Sequence, residues 1–489
     1  MTADRVAVVG GVEVSEDHYI GGQRVSSPST FEDRSPFDWS CKLADVARGD
    51  AQTAAAAVGA AVEAADGWAS LGVAGRAVIL RRLADLIDAH VEPLATIECL
   101  DMAMLHESLR ARVIARGARN FRAYADLAEA HVPRQWSSNG TANMVQRMPA
   151  GPTVVITPWN APFMLSTWKA APALAAGNTV VLKPAEWSPL SCSYLCDLAE
   201  LAGLPPGVLN VVQGIGGEIG AALVEDSRAR RISFTGSPAT GRAIGVAAAR
   251  NLVPFTAELG GKGPLIVFGD ADLDAAARTA ARMFDDAGQV CLAGTRLLVD
   301  NAVREAFLDR FTAASEAHVL GDSRDPATTI SPLIHPEHLA RVEGFVDRAR
   351  EAGDRIVFGG KRWRPEGLWY EPTLIEPRSN DAEIVQSEVF GPVLTLQSFS
   401  TEQEAVQLAN STQYGLSAIV FTTSRARADR VAGAVRAGTI WTNCFLVRDL
   451  TAPFGGCKIS GIGREGGDYA LDFYSELKTS QVLEGTTDG

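Results

Sequence analysis

The chain has 489 residues, more than one hydrophobic core usually serves, so two or three domains are expected. Hydrophobic residues make up 46% and charged residues 21%, as in ordinary globular proteins, and no apolar stretch is long enough to span a membrane. The net charge of −13 disfavours nucleic acid and anionic membranes as main partners, and the first residues do not form a signal peptide. We therefore expect a cytoplasmic protein.

The seven cysteines do not form a disulfide framework, because their number is odd and no CxxC occurs. Cys192 and Cys196, four residues apart on a predicted helix, are interpreted as packing residues. His335 and His338 in "HPEH" resemble metal ligands but have no partner cluster nearby in the sequence. We expect a solvated loop there and no metal site.

The N-terminal part begins with a misleading pattern. "VAVVGG" (6–11) imitates a dinucleotide-binding strand and turn, but the full G-x-G-x-x-G is absent and no helical pattern follows. We therefore do not assign a cofactor site there. Helical periodicity follows over 50–66, 74–103 and 105–131.

The middle of the chain alternates strands and helices. Strands are predicted at "TVVIT" (153–157) and "TVVLKP" (179–184), in "GVLNVVQG" and in "RRISFTGS", each followed by a helix. This alternation predicts an α/β fold with a right-handed parallel sheet. A second series runs from "GPLIVFG" (263–269) to about residue 440. Segment 134–149 contains Asn-Gly and reads as a hairpin, to which "ELKTSQVLEG" can add a strand.

"GQVCLAGTR" (288–296) places Cys291 in a polar, glycine-rich stretch. Inert cysteines usually lie among apolar neighbours, whereas reactive ones lie in polar, accessible places. The pattern indicates a nucleophilic thiol.

Six stretches in order resemble the aldehyde dehydrogenase superfamily, over roughly residues 18–480. They are "PWNAPFMLSTWK" (158–169), "KPAE" (183–186), "FTGSPATG" (234–241), "ELGGKGP" (258–264), "GQVCLAGTR" and "EVFGPV" (388–393).

The resemblance implies an α/β architecture with a Rossmann-like NAD-binding domain, an α/β catalytic domain and a small β oligomerisation extension. The corresponding ranges are 1–130 with 150–257, then 258–460, and finally 131–149 with 475–489. A homodimer or homotetramer is expected.

The resemblance also implies the catalytic roles. Cys291 adds to the aldehyde carbonyl, because the adduct can lose a hydride and the free carbonyl cannot readily do so. Asn160 and the Cys291 backbone N–H stabilise the oxyanion. Glu258 acts as the general base that hydrolyses the thioester, and Lys169 assists proton handling.

The cofactor implied is NAD. Ser237 can cap a helix that starts at Pro238 and so leave N–H groups for a pyrophosphate. Lys183 and Glu186 are expected at the adenosine ribose, and Glu388 and Phe390 at the nicotinamide ribose. The remaining expected contacts are Ile156, Thr157, Trp159, Gly216, Phe234, Gly236 and Leu259.

Two further stretches narrow the substrate class. "IARGARNFR" (114–122) and "WTNCFLVRDLTAPFGGCKISGIGREGG" (441–467) resemble the 2-hydroxymuconate and 2-aminomuconate semialdehyde dehydrogenase group, which includes carboxymethyl-hydroxymuconate semialdehyde dehydrogenases. This implies that Arg116 and Arg448 bind a substrate carboxylate, since guanidinium pairs with carboxylate in a bidentate manner. The alternative is that both face solvent or pair with Glu107 and Asp449.

The sequence also permits other functions. "DMAMLHES" (101–108) lacks the Gly-Lys of many relatives, so another aldehyde class is the main alternative. A coenzyme-A-acylating relative commonly lacks the glutamate base, so Glu258 argues against it. A non-catalytic relative is disfavoured by the presence of Cys291, Glu258 and Asn160 together. A cysteine hydrolase needs a histidine, and none lies near the motifs.

Overall fold

The computed structural model describes residues 5–485. Residues 1–4 and 486–489, which belong to the predicted first domain and last strand segment, lie outside the described residues. Within the described range, no helix combines the length and the apolarity that crossing a bilayer requires.

The strands are short and are numbered here in chain order. They are β1 (Val6–Val9), β2 (Val12–Ser15), β3 (His18–Ile20), β4 (Gln23–Val25), β5 (Thr30–Arg34), β6 (Lys42–Ala47), β7 (Arg134–Ser138), β8 (Thr141–Pro149), β9 (Thr153–Ile156), β10 (Val180–Lys183), β11 (Leu209–Val211), β12 (Arg231–Thr235), β13 (Phe255–Glu258), β14 (Pro264–Val267), β15 (Arg296–Asp300), β16 (Arg355–Phe358), β17 (Thr373–Glu376), β18 (Val393–Phe399), β19 (Ser417–Phe421), β20 (Thr439–Thr442), β21 (Gly461–Ile462) and β22 (Ser475–Leu483).

The α-helices are numbered in the same way. They are α1 (Ala51–Ser70), α2 (Gly72–Ala89), α3 (Val91–Met102), α4 (His106–Ser108), α5 (Ala115–Ala130), α6 (Pro162–Ala175), α7 (Leu190–Leu201), α8 (Ala221–Glu225), α9 (Pro238–Arg250), α10 (Leu273–Ala281), α11 (Arg304–Glu316), α12 (Pro336–Glu351), α13 (Glu383–Gln386), α14 (Glu402–Asn410), α15 (Arg425–Ala434) and α16 (Gly467–Phe473). A π-helical turn over Leu109–Ile114 joins α4 to α5.

The first large sheet has the strand order β21-β13-β12-β9-β10-β11-β3-β4. Its five central strands, β13 to β11 in that order, are parallel, as the alternation of strands and helices predicts. From β9 the chain moves outward to β10 and β11 on one side, and then to β12 and β13 on the other. The carboxyl ends of β9 and β12 therefore flank a topological switch point, where open α/β sheets bind ligands.

The second large sheet has the order β16-β17-β18-β15-β14-β19-β20 and is parallel except for β16. All seven strands lie between residues 258 and 460. Because β13 ends at Glu258 and β14 begins at Pro264, only a short link joins the two sheets.

A third, smaller sheet confirms the predicted hairpin. β7 and β8 pair in antiparallel fashion around Asn139 and Gly140, and β22 pairs with β8 along its whole length. The interpretation of "VAVVGG" is also confirmed, since β1 turns at Gly10 and Gly11 into β2 and not into a helix.

The helical segment 74–103 is divided at His90, where α2 ends and α3 begins. Pro93 explains the break, because it has no N–H and its ring would clash with the carbonyl of residue 89 in a continuous helix. α1 continues to Ser70, beyond the predicted end.

Arg296, at the start of β15, is buried and ties the second sheet to the end of α14. Its guanidinium donates to the carbonyls of Lys262, Leu408 and Ala409 at 2.9, 2.7 and 2.8 Å. Burial lowers the pKa of Arg296 to about 10. The Leu408 carbonyl also accepts from Ser411. For the carbonyls of Lys262 and Ala409, the arginine supplies hydrogen bonds that no other described residue provides.

We expect Arg296→Met to lower the free energy of unfolding by about 3 kcal/mol or more, because an unpaired buried polar group costs about 1 to 3 kcal/mol. Urea denaturation measures the change. Arg425→Met, which removes an exposed ion pair with Asp429 on α15, is the control and should change the midpoint little. Equal stability of the two variants would contradict this role of Arg296.

Candidate active site

One open cleft of about 300 Å³ lies between the two large sheets. On one side it is lined by residues that follow the carboxyl ends of β9, β12 and β13. On the other side it is lined by residues that precede β15 and β18. The lining residues include Trp159, Asn160, Gly236, Ser237, Glu258, Leu259, Cys291, Glu388 and Phe390. Nine predicted site residues, from five separate segments, thus share one cleft.

A tight turn presents Cys291 to this cleft. Asp286, Ala287 and Gly288 have left-handed φ values of 52°, 53° and 68°, and a non-glycine residue in this region costs about 1 to 3 kcal/mol. Burial raises the pKa of the Cys291 thiol to about 12, and Glu388 adds to this rise while Arg448 opposes it. The thiol is therefore protonated near neutral pH, so its attack requires a proton acceptor.

Gly260 and Gly261, in the link between the two sheets, allow the turn that carries Cys291 to approach this link closely. A Cβ atom on Gly261 would lie 2.3 Å from the Cys291 carbonyl oxygen, and one on Gly260 would collide with the Glu388 carboxylate. Glu388 accepts a hydrogen bond from the Gly261 N–H at 2.8 Å. The "GG" of "ELGGKGP" thus serves close packing.

Glu258, the last residue of β13, is buried, and neither carboxylate oxygen has a hydrogen-bond partner among the described residues. Burial raises the pKa of Glu258 well above its ordinary value, and the Glu465 carboxylate adds to this rise. Lys169, Arg464 and Arg448 act in the opposite direction. An unpaired buried carboxylate with a raised pKa is suited to accept a proton.

Lys169 does not line the cleft but lies in a buried polar cluster behind it. Its ammonium pairs with Glu465 and donates to Ser233 Oγ at 3.1 Å and to the Phe234 carbonyl at 3.3 Å. Trp168 Nε1 donates to the other oxygen of Glu465 at 2.6 Å. Sequence reasoning missed Glu465, although the glycine-rich "GREGG" around it was a usable signal.

Asn160 lies between β9 and α6 on the cleft wall. Its Nδ2 donates to the carbonyl of Gln289 at 2.9 Å, two residues before Cys291. An amide nitrogen carries two hydrogens, so the second N–H remains for a ligand oxygen. The side chain of Gln289 anchors the cysteine turn to the Ile334 N–H at 3.1 Å.

Ser237 caps α9 as predicted, since its Oγ accepts from the Thr240 N–H at 3.1 Å and Pro238 occupies the first turn. This helix start opens into the cleft and presents backbone N–H groups, which suit an anion. Gly236 packs against the ring of Phe234, since a Cβ atom on Gly236 would lie 2.4 Å from Phe234 Cζ.

Lys183, the last residue of β10, and Glu186 form a second polar group. Their side chains pair at 2.9 Å, and the Gly216 N–H donates to Glu186 at 3.4 Å. Burial opposes ionisation of Glu186, but Lys183 and the backbone N–H groups outweigh it and lower the pKa of Glu186. Burial also lowers the pKa of Lys183. Glu186 is therefore a carboxylate at neutral pH.

The remaining predicted contacts lie around these groups. Ile156 ends β9 and Thr157 follows it, donating its N–H to the Lys183 carbonyl at 3.2 Å. The ring of Trp159 packs edge-on against Phe390 at 5.3 Å, and Phe390 has a left-handed φ of 62°.

The structure corrects the prediction for His335 and His338, which do not lie in a solvated loop. His335 caps α12, and its ring stacks on that of Trp187 with the ring centroids 4.2 Å apart. His338 is buried, and its Nε2 donates a hydrogen bond to the Phe390 carbonyl at 2.7 Å. The prediction failed because the chain that covers these side chains is distant in sequence. Among residues 5–485, no group of His, Cys, Asp and Glu side chains could hold a metal ion.

Cys192 and Cys196 on α7 are fully buried, as predicted for packing residues. Burial raises the pKa of both thiols, and that of Cys196 reaches about 12.

Arg448 lies close enough to Arg116, on α5, for its charge to act on Arg116. Burial lowers the pKa of Arg116 to about 10, and Arg448 contributes to the shift. Burial also lowers the pKa of Arg448, while Cys291 and Glu258 oppose the shift. Neither guanidinium forms an ion pair within the part of the chain that the structure describes. Glu107 pairs with Arg110, and Asp449 accepts from Thr451, so the alternative pairing does not occur.

Comparison with known proteins agrees with this geometry. A model of the aldehyde dehydrogenase family matches residues 24–480. The 2-hydroxymuconic semialdehyde dehydrogenase of Pseudomonas sp. (strain CF600) is 41% identical, with 94% of this chain and 98% of that protein covered. A betaine aldehyde dehydrogenase of Cereibacter sphaeroides (strain KD131 / KCTC 12085) is 43% identical, with 89% and 90% covered.

Among solved structures, the P. syringae indole-3-acetaldehyde dehydrogenase in complex with NAD⁺ has a TM-score of 0.94 and 37% identity, with 96% of this chain and 97% of that chain covered. The chain belongs to the aldehyde dehydrogenase family and is an oxidoreductase that acts on aldehydes.

We expect Gly261→Ala to displace the turn that carries Cys291, because its Cβ would lie 2.3 Å from the Cys291 carbonyl oxygen. A misplacement of about 1 Å can cost roughly a hundredfold in rate, so aldehyde oxidation should fall at least about tenfold. Steady-state oxidation and the alkylation rate of Cys291, followed by peptide mass spectrometry, measure the effect.

Gly217→Ala is the matched control, because a Cβ at Gly217 would meet no atom within 4 Å. Wild-type oxidation and alkylation rates in Gly261→Ala would mean that the close approach does not position the thiol.

Proposed function

We propose that the protein oxidises a carboxylate-bearing, muconate-type semialdehyde from aromatic ring cleavage to the corresponding acid, with NAD as the acceptor. The observation that carries the substrate class is the pair formed by Arg116 and Arg448, called here the arginine pair. The charge of Arg448 acts on Cys291, and Arg116 lies within range of Arg448. Neither partly buried guanidinium has an internal carboxylate partner among the described residues. A substrate carboxylate would supply the missing charge.

Cys291 is the proposed nucleophile. Its sulfur adds to the aldehyde carbon as the thiol proton passes to solvent water in the open cleft, and the product is a thiohemiacetal oxyanion. The free N–H of Asn160 and the backbone N–H of Cys291 stabilise the oxyanion, and losing one such donor typically costs about 3 to 4 kcal/mol. NAD, when bound, supplies the acceptor for the hydride, and the protein then holds a thioester on Cys291.

Glu258 is the proposed general base for hydrolysis of that thioester. Its carboxylate takes a proton from water, which adds to the thioester carbon and releases the acid and the thiol. Lys169 is proposed to act indirectly and without contacting the substrate, because it lies in the cluster behind Glu258 and pairs with Glu465. The role proposed for Lys169 is limited to its electrostatic effect on Glu258.

The residues around the cleft fit NAD. The capped start of α9 offers N–H groups for the pyrophosphate, and the pair of Lys183 and Glu186 offers a donor and acceptors for the adenosine ribose. Glu388 and Phe390 line the cleft, with Phe390 beside Trp159, and the nicotinamide ribose is proposed to bind there.

The other proposed cofactor contacts are Ile156, Thr157, Gly216, Phe234, Gly236 and Leu259. The residues 1–130 and 150–257 would form the cofactor domain, 258–460 the catalytic domain, and the β7-β8-β22 sheet the surface of a homo-oligomer.

The arginine pair also separates two classes of relative. Betaine aldehyde carries a quaternary ammonium group, which two nearby guanidinium charges would repel. A semialdehyde with a remote carboxylate would be attracted and oriented by the same charges. The slightly higher identity to betaine aldehyde dehydrogenases therefore does not outweigh the chemistry of this site.

We expect Glu258→Gln to accumulate a thioester on Cys291, because hydrolysis loses its base. Intact-protein mass spectrometry after mixing with aldehyde and NAD detects the adduct, and Cys291→Ala, which has no thiol, is the control without adduct. In the wild type, acid release should fall as the pH drops through the raised pKa of Glu258. Normal acid release by Glu258→Gln would assign the base elsewhere.

We expect NAD to be preferred over NADP, because the 2′-phosphate of NADP would meet the Glu186 carboxylate. Two like charges about 4 Å apart repel by roughly 4 kcal/mol at an effective dielectric of about 20. Glu186→Gln should raise the ratio of kcat/KM for NADP to that for NAD by about tenfold or more. Glu218→Gln, which alters an exposed carboxylate paired with Arg48, is the control. An unchanged ratio in Glu186→Gln would contradict the role of Glu186.

We expect Arg116→Ala and Arg448→Ala each to lower kcat/KM about tenfold to a hundredfold for a carboxylated aldehyde, since a hydrogen bond to a charged group contributes about 1.5 to 3 kcal/mol. Oxidation of 6-oxohexanoate and of its neutral methyl ester should be compared. The ester should be little affected, because no charge partner is lost. Equal losses of kcat/KM for the acid and for its ester would contradict the proposed substrate class.

A further inference from the structure

Asn120 lies on α5, one helical turn after Arg116, and is fully buried. Its Oδ1 accepts a hydrogen bond from Arg116 Nε at 2.9 Å. Its Nδ2 donates to Thr167 Oγ1 at 3.1 Å and to the Met164 carbonyl at 3.4 Å, both on α6. Both ends of the Asn120 amide are therefore hydrogen-bonded, the oxygen to Arg116 of the arginine pair and the nitrogen to α6.

Helix α6 determines which end of the amide faces Arg116. Thr167 Oγ1 lies 3.0 Å from the carbonyls of Phe163 and Met164, which can only accept, so its hydroxyl hydrogen points to them. The hydroxyl oxygen is then left to accept from Asn120 Nδ2. The oxygen of the amide must consequently point to Arg116.

Arg116 needs such an anchor because its nearest charged neighbours repel it. Arg448 and Arg119 both act against its charge, and no carboxylate in the described chain pairs with it. The ring of Trp168 lies 5.2 Å below the guanidinium and supports its face. An amide oxygen holds Nε without cancelling the charge, and it leaves the two terminal nitrogens of Arg116 available.

We propose that Asn120 is a positioning residue that sets substrate specificity by holding Arg116 against the repulsion of Arg448. The inference rests on the proposed function, because it requires Arg116 to bind a substrate carboxylate. Asn120 itself touches no substrate. It acts through the direction in which it holds the guanidinium.

The test uses the full-length enzyme with NAD and compares 6-oxohexanoate with its methyl ester. Asn120→Leu should lower kcat/KM for the acid about tenfold, mainly through KM, and should leave the ester within about threefold. Asn120→Asp, which keeps the size of the side chain but places a carboxylate on Arg116, should lose the same preference for the acid. Arg119→Ala, which alters an exposed neighbour on the same helix, is the control and should keep that preference.

A double-mutant cycle separates positioning from a general structural effect. Asn120→Leu in the Arg116→Ala background should cause no further loss on the acid, because the group that it positions is already gone. Full additivity of the two losses would overturn the inference. If Asn120→Leu does not fold, Asn120→Asp decides, and an unchanged acid-to-ester ratio in that variant overturns the inference.

The variants distinguish a failure of the inference about Asn120 from a failure of the proposed substrate class. If Arg116→Ala loses the acid preference but the Asn120 variants retain it, the inference about Asn120 is wrong and the proposed substrate class stands. If Arg116→Ala also retains the acid preference, the proposed substrate class itself is wrong.

Discussion

The short link between β13 and β14 is the constraint on which the active site depends. Within residues 259–263 the chain leaves the carboxyl edge of one sheet and enters the amino edge of the other. This brings Glu258 from the first sheet to the turn of Cys291, which precedes a strand of the second. The approach is close enough that side chains are excluded at Gly260 and Gly261, where they would collide with Glu388 and with the Cys291 carbonyl.

The site that results is governed by burial of charge. Burial raises the pKa values of Cys291 and Glu258, which keeps the thiol protonated and makes the Glu258 carboxylate a stronger proton acceptor. Arg448 opposes both shifts, and Lys169 is already paired with Glu465. A carboxylate bound to the arginine pair would therefore satisfy buried cations that the described part of the chain leaves without an ion-pair partner. On the proposed function, substrate binding and substrate selection would both follow from this shortage of internal carboxylate partners.

The strand and helix order was predictable because it depends on local periodicity. β9, β10, β11 and β12 with their helices follow from alternating apolar runs and turn residues, and the hairpin of β7 and β8 follows from Asn139 and Gly140. The cap formed by Ser237 was predictable for the same reason, since it lies next to the helix it caps. His335 and His338 were misread, because burial by Trp187 and Phe390 is a long-range property.

The sequence by itself determined which groups are available: a thiol in a glycine-rich turn, an acid before a double glycine, and an arginine on each of two distant segments. Motif resemblance was sufficient to propose Cys291, Glu258 and Asn160 for the chemistry, because the proposed reaction requires a nucleophile, a base and an oxyanion donor. Only the tertiary structure decided how their charges are set. Glu465 behind Glu258, the Lys169 ion pair and the contact of Asn120 with Arg116 all join segments far apart in sequence. Burial and through-space electrostatics depend on distances in the folded chain, and local sequence patterns do not contain those distances.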